Sequence, residues 1–220
     1  MKITVYNIKG SAGKTPLSTR IALDNSYCIG TNESIDVYGH LFDEDSQICV
    51  GQNDEFPEFS SDTDIVFDLS GSISNSSLSI TSAIKQSDVV IIPIYNHTRC
   101  LQGGIQTILE VEHFTKNIIV VATKLTKSRF TGKRKEGDLG FGSYDWTQSD
   151  DYQNIKPQVE NNTNMKLPIL PIKLTNGFDF ADDQAKSLIE LANESKLMTH
   201  RYSTEVQQLR ALYKELRNYE

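Results

Sequence analysis

Lys9-Gly10-Ser11-Ala12-Gly13-Lys14-Thr15 is the stretch that decides the fold. It follows a short run with apolar residues at Ile3, Val5, Tyr6 and Ile8, and it precedes a predicted helix over Pro16–Asp24. A strand, a glycine-bearing turn and a helix N-terminus, in that order, wrap a polyphosphate in backbone N–H groups. Gly10 and Gly13 let the backbone come close to the phosphates, with Ser11 and Ala12 completing the loop. Lys14 is placed to reach the β- and γ-phosphates, and the Thr15 hydroxyl to hold a Mg²⁺ ion. The stretch implies a nucleoside triphosphate.

The common phosphate-loop pattern, G-x-x-x-x-G-K-S/T, wants a glycine where this chain has Ile8. It has Lys9 ahead of Gly10 instead, giving K-G-x-x-G-K-T. This resembles the deviant loop of the ParA/MinD family of ATPases, whose usual form is K-G-G-x-G-K-S/T-S/T. The resemblance implies that Lys9 reaches across a dimer interface to the partner's nucleotide, while Lys14 serves its own.

Apolar runs alternate with helical segments along the rest of the chain, the pattern of a parallel sheet covered by helices. Strands are predicted over Lys2–Asn7, Tyr27–Gly30, Asp64–Asp68, Asp88–Ile94, Asn117–Thr123 and Leu167–Lys173. Helices are predicted over Ser77–Gln86, Leu101–Phe114, Ala181–Ser195 and Thr204–Tyr219. Gly51–Asp62 reads as a surface connection and Leu125–Asn154 as a long loop carrying Trp146. The fold class expected is α/β: a single P-loop domain over residues 1–220, its mostly parallel, twisted sheet flanked by helices.

A phosphate-loop site needs an acid at the end of a neighbouring strand, and Asp68 closes the run Asp64-Ile65-Val66-Phe67-Asp68. Thr15 and Asp68 are therefore the expected metal pair. Leu69-Ser70-Gly71, a helix, Ser87-Asp88 and a strand containing Pro93 follow, an order that again looks like ParA-type partition ATPases. Together the two blocks extend the resemblance over about residues 1–125. Base recognition in such sheets comes from loops at the carboxyl ends of later strands. Thr123, Lys124, Pro171 and Lys173 are the candidates for the adenine pocket.

Composition is that of a globular chain: 220 residues, 38% hydrophobic and 23% charged. The run Val89–Tyr95 is too short to span a bilayer. No leader is expected, and three scattered cysteines suit free thiols in a reducing cytoplasm. Four histidines show no ligand spacing with them. The net charge of −7 confines any nucleic-acid contact to a local basic patch. Two patches are available. One lies in the long loop, with Lys127, Arg129, Lys133, Arg134 and Lys135. The other is the stripe Arg210, Lys214 and Arg217, opposite Val206, Leu209, Tyr213 and Leu216 on the last helix.

The resemblance implies an ATP- and Mg²⁺-dependent homodimer in plasmid or chromosome partition. That dimer would hold nonspecific DNA through one of these patches, near the nucleoid, and a centromere-bound adaptor protein would release it. Glu205, Glu215 and Glu220 argue against membrane attachment by the last helix. The chain departs from the family at three places. Gly30 and Asn32 stand where an Asp-x-Asp pair usually follows the second strand, leaving Asn32, or Asp36, Asp43, Glu44 or Asp45, to place the attacking water. Ser11 replaces a glycine and is strained if its φ is positive. Pro16 lacks the N–H and hydroxyl that the family's Thr or Ser offers the α-phosphate. The departures leave open a nucleotide-binding switch or adaptor with little hydrolysis, acting in plasmid stability or conjugation. A metabolic P-loop enzyme fits Lys9 poorly.

One lost hydrogen bond to a charged oxygen costs roughly 1.5–3 kcal/mol. Pro16→Thr is therefore expected to tighten ATP binding about tenfold or more, measured by calorimetry; an unchanged or weaker Kd refutes it.

Overall fold

The computed structural model describes residues 1–33, 37–71, 77–127, 138–140 and 143–219. Seven strands form one parallel sheet: β1 Lys2–Val5, β2 Cys28–Thr31, β3 Gln47–Cys49, β4 Ile65–Asp68, β5 Val89–Ile94, β6 Ile118–Leu125 and, after a hairpin of β7 Asp138–Gly140 and β8 Ser143–Tyr144, β9 Ile169–Lys173. Their spatial order is β3-β2-β4-β1-β5-β6-β9. The chain leaves central β1 towards one edge and returns across it from β4 to β5. The carboxyl end of β1 is thus the point where the winding reverses, and crevices open there in sheets of this kind.

Strands buried on both faces read as continuous apolar runs, and the side-chain period of two sorts them. Val89 and Ile91 of β5 join Ile3, Val5, Ile119 and Val121 on one face. Val90, Ile92 and Ile94 join Phe67, Ile118 and Val120 on the other. The first face is covered by α1 Lys14–Asn25, α5 Gly177–Asp183, α6 Leu188–Asn193 and α7 Lys196–Leu216. The second is covered by α2 Leu78–Gln86, α3 Thr98–Val111 and α4 Asp150–Thr163.

Three expectations are corrected. The span Leu125–Asn154 is not one loop: it contains the hairpin, a 3-10 turn over Trp146–Gln148 and the start of α4, where Ser149 caps by accepting from the Tyr152 N–H. Ala181–Ser195 is not one helix either. Ala185 turns left-handed at φ 48°, and Ser187 starts α6 with a capping box to Glu190. The last helix begins at Lys196, eight residues earlier than Thr204, behind the cap Ser195.

Gly51–Asp62 contributes to the core as well as the surface. Phe56, only 3% exposed, packs on Phe67 with ring centroids 4.9 Å apart. Both rings close over Gly30: a Cβ there would lie 2.9 Å from Phe67 Cδ1 and 3.1 Å from Phe56 Cε1. The aromatic pair therefore occupies the space of the acid that the resemblance would put at Gly30.

Helix α1 is joined to the C-terminal helices by buried polar groups. The fully buried Arg20 donates from Nη1 to the Lys186 carbonyl at 2.9 Å and pairs through Nη2 with Asp182. The Tyr213 hydroxyl lies 2.6 Å from Asp24 Oδ2. Burial pushes the Asp24 carboxyl above the usual carboxylate range, and the Tyr213 hydrogen bond opposes this only in part.

Gly30→Asp is expected to lower stability by about 3 kcal/mol or more, from overpacking and a buried charge; a melting temperature equal to wild type refutes the packing argument. Asp24 offers a pH test. A carboxyl whose folded pKa is raised contributes stability that is present below its unfolded pKa and lost as pH rises through the folded value. Asp24→Asn lacks that loss, so its melting temperature relative to wild type should climb as pH rises above about 4, the ordinary aspartate value; a flat difference refutes the assignment.

Candidate nucleotide site

The loop at the carboxyl end of β1 is held from several sides. Buried Asn7 donates from Nδ2 to the Pro93 carbonyl at 2.7 Å and accepts from the Lys9 N–H at 2.8 Å. The Ile8 N–H donates to Thr107 Oγ1 at 3.1 Å. Gly71 comes so close that a Cβ there would sit 2.8 Å from the Ile8 carbonyl oxygen. From β6, Thr123 Oγ1 donates to the Ala12 carbonyl at 2.9 Å and Lys124 Nζ to the Ser11 carbonyl at 2.8 Å. In a trans peptide the following N–H points the opposite way, so these bonds orient the amides of Ala12 and Gly13.

Gly13 takes φ 94° and Ser11 φ 62°. The left-handed turn at Ser11 costs a non-glycine residue on the order of 1 kcal/mol. The strain foreseen for a positive φ is present. Pro16 sits in the first turn of α1, where its missing N–H breaks no helix bond.

Lys14 is 7% exposed, with Nζ 3.5 Å from the Lys9 carbonyl. Burial lowers its pKa; Asp68, and after it Glu33, act the other way. Asp68 is fully buried and surrounded by hydroxyls: Thr15 Oγ1 at 2.7 Å, Ser18 Oγ at 3.1 Å and Tyr38 OH at 2.7 Å. A hydroxyl beside a carboxylate, both hard oxygen donors, suits Mg²⁺. No group of three or more His, Cys, Asp or Glu able to hold a metal occurs among the described residues. An ion at Thr15 and Asp68 would therefore need phosphate and water oxygens to complete its shell.

A cleft of about 730 Å³ opens over this loop. Gly10, Ser11 and Gly13–Leu17 form one side; Glu33, Gln52, Ser70 and Gly71 form another; and the ends of β6 and β9 close the third. Thr123, Lys124 and Lys173 line it, the first two also bracing the loop. Pro171 does not: it lines a different cleft beside Trp146, which Lys173, two residues on and so on the same side of the strand, also lines. Leu174, Thr175, Asn176 and Phe178, missed in the sequence, extend the wall beyond β9. The Asn176-Gly177 turn into α5 was their only signal.

Asn32 is also corrected. It is buried, accepting from the Ser70 N–H at 2.7 Å and donating to Ser79 Oγ at 2.8 Å, so both ends of its amide tie β2 to the loop after β4 and to α2. Asp43, Glu44 and Asp45 are exposed and do not line the cleft; Asp36 lies outside the described residues. Glu33 and Asp179 are the carboxylates beyond the loop that line it, and Glu33 is the one whose charge acts on Lys14. Lys9 is exposed and runs along α3 at Gly103, where a Cβ would come 2.9 Å from Lys9 Cγ.

Arg210 and Lys214 on α7 and Arg217 just past its end are exposed, while Leu209, Leu212, Tyr213 and Leu216 are buried. Lys133 and Arg134, with Arg129 and Lys135, lie outside the described residues. No described helix is long and apolar enough to cross a membrane.

No protein-family model matches the chain, and no curated protein matches it in sequence. Solved structures do match. A variant of McdA from Cyanothece in complex with ATP is 13% identical, with 87% of this chain and 90% of that chain covered and a TM-score of 0.56. A protein of Borrelia burgdorferi B31 assigned to plasmid partition, bound to AMPPNP, is also 13% identical, covering 94% and 97% with a TM-score of 0.55. The cell division protein MinD of Aquifex aeolicus is 12% identical, covering 85% and 87% with a TM-score of 0.50. With its glycine loop at the switch point of a seven-stranded parallel sheet, the chain has the fold of the ParA/MinD-type P-loop ATPases.

Proposed function

We propose that the chain is a Mg²⁺- and ATP-dependent ATPase that dimerises on its nucleotide and acts in DNA partition or intracellular positioning. The observation that carries this reading is the buried Lys14 ammonium at the mouth of α1, beside the Thr15–Asp68 pair. An amine kept largely from water there wants an anion, and a triphosphate supplies it. Lys14 and the loop amides hold the phosphates. Thr15 and Asp68 would hold the metal, which would supply charge neutralisation to the phosphates. Glu33 orients the attacking water, replacing the role first given to Asn32. Lys9, exposed at the rim, reaches the partner's nucleotide, and Arg210, Lys214 and Arg217 contact DNA phosphates in the dimer.

A second reading, a switch with little hydrolysis, is favoured by the aromatic filling over Gly30 and the tied amide of Asn32. Single-turnover ATP hydrolysis with and without duplex DNA separates the two. Wild type should exceed Lys14→Ala about tenfold or more, and Glu33→Gln should lose a similar factor at unchanged ATP affinity. Light scattering should show an ATP-dependent dimer that Lys9→Ala abolishes. A wild-type rate equal to that of Lys14→Ala leaves the switch; a failure of ATP to bind sinks both.

A further inference from the structure

A second cleft, of about 700 Å³, opens between the Tyr144–Trp146 segment and α7. Its chemistry differs from that of the nucleotide site. Trp146 and Tyr144 line one wall with ring centroids 5.1 Å apart, and Lys127 Nζ stands 5.4 Å over the Tyr144 ring. His200 and Arg201, both exposed, come from α7 opposite. Gln208, 9% exposed, also lines the cleft. Its Oε1 accepts from the Lys173 N–H at 3.1 Å, and its Nε2 is a buried donor without a partner. A buried amide in that condition favours a ligand oxygen.

Two carboxylates lie nearby. Glu205 pairs with Lys173 Nζ at 2.9 Å, and Asp145 accepts from the Thr147 N–H at 3.0 Å and from its hydroxyl at 2.6 Å. Lys127 and Arg201 outnumber the Asp145 carboxylate, whose bonds come from neutral donors, and so give the cleft a positive rim on a chain whose net charge is −7. Along α7, Lys214 follows three residues after Ala211, which lines the cleft, so the rim continues as a basic track.

Aromatic faces, flanking cations and a recessed amide donor together suit an unstacked base and its phosphates. A duplex keeps its bases stacked on one another and cannot lay one on Trp146. We propose that this cleft binds a single-stranded polynucleotide, one base against Trp146 and Tyr144 and the adjoining phosphates on Lys127 and Arg201. This goes beyond the ATPase reading and does not require it.

Trp146 is the chain's one tryptophan, so its emission reports this cleft. The full chain would be titrated with oligothymidylate, oligouridylate and a duplex of equal length, following emission and the anisotropy of labelled strands. Single strands should quench Trp146 and bind about tenfold or more tighter than duplex. Lys127→Ala and Arg201→Ala should each weaken that binding about tenfold, a loss of about 1.4 kcal/mol, with ATP affinity unchanged. Preference of the thymidylate or the uridylate strand tells DNA from RNA as the source. Lys14→Ala, defective towards ATP, should keep the quench, which separates failure of this proposal from failure of the ATPase reading. Duplex binding as tight as single-strand binding, no emission change on binding, or a quench undiminished in the Lys127→Ala/Arg201→Ala double variant overturns the proposal.

Discussion

The buried carboxylate of Asp68 is the constraint around which the rest is arranged. An ionised carboxylate excluded from water costs several kcal/mol unless donors surround it. Its three donors come from two separate places: Thr15 and Ser18 on the first turns of α1, and Tyr38 from the connection between β2 and β3. Satisfying that one charge brings the end of β4, the helix behind the phosphate loop and the β2–β3 crossover to a single point. A hydroxyl that donates to a carboxylate can exchange that partner for a cation without leaving the charge bare. A cation bound there would meet a carboxylate whose own electrostatics already demand saturation.

Much of this was legible in the residues. Lys9–Thr15 and Asp68 are short-range patterns whose chemistry constrains their geometry, and Val89–Ile94 is apolar enough to require burial on both faces. The helix α4 was not legible, because Pro157 and a polar composition mask Tyr152, Ile155, Val159 and Thr163, which recur along its buried face. Strand β3 has three residues, too few for a period to show. The break between α5 and α6 depends on a left-handed Ala185, a conformation that alanine does not advertise. At the site, Asn32 and Glu33 are adjacent, and sequence alone does not say which of two neighbours a strand end turns inward. Tertiary packing decided it: Ser70 and Ser79 claim the amide, and the acid is left to the cleft.

The departures from the usual loop also acquire physical reasons. Ser11 can hold φ 62° because its carbonyl is fastened by Lys124, so a bond from β6 offsets the local strain. Glycine at position 30 is required by the ring pair Phe56–Phe67 above it, which leaves room for no side chain. One change is thus compensated at a distance in sequence, and the other accommodates bulk inserted elsewhere.

Arg20 gives α1 a mechanical property. The helix begins at the phosphate loop, and its guanidinium grips the Asp182–Lys186 turn, while Tyr213 of α7 meets Asp24 one helical turn further along. A stiff rod anchored at both ends transmits displacement instead of absorbing it. A shift of α1 at the loop therefore reaches the helix that bears Arg210 and Lys214 through side chains with little slack, so a strut joins the two faces.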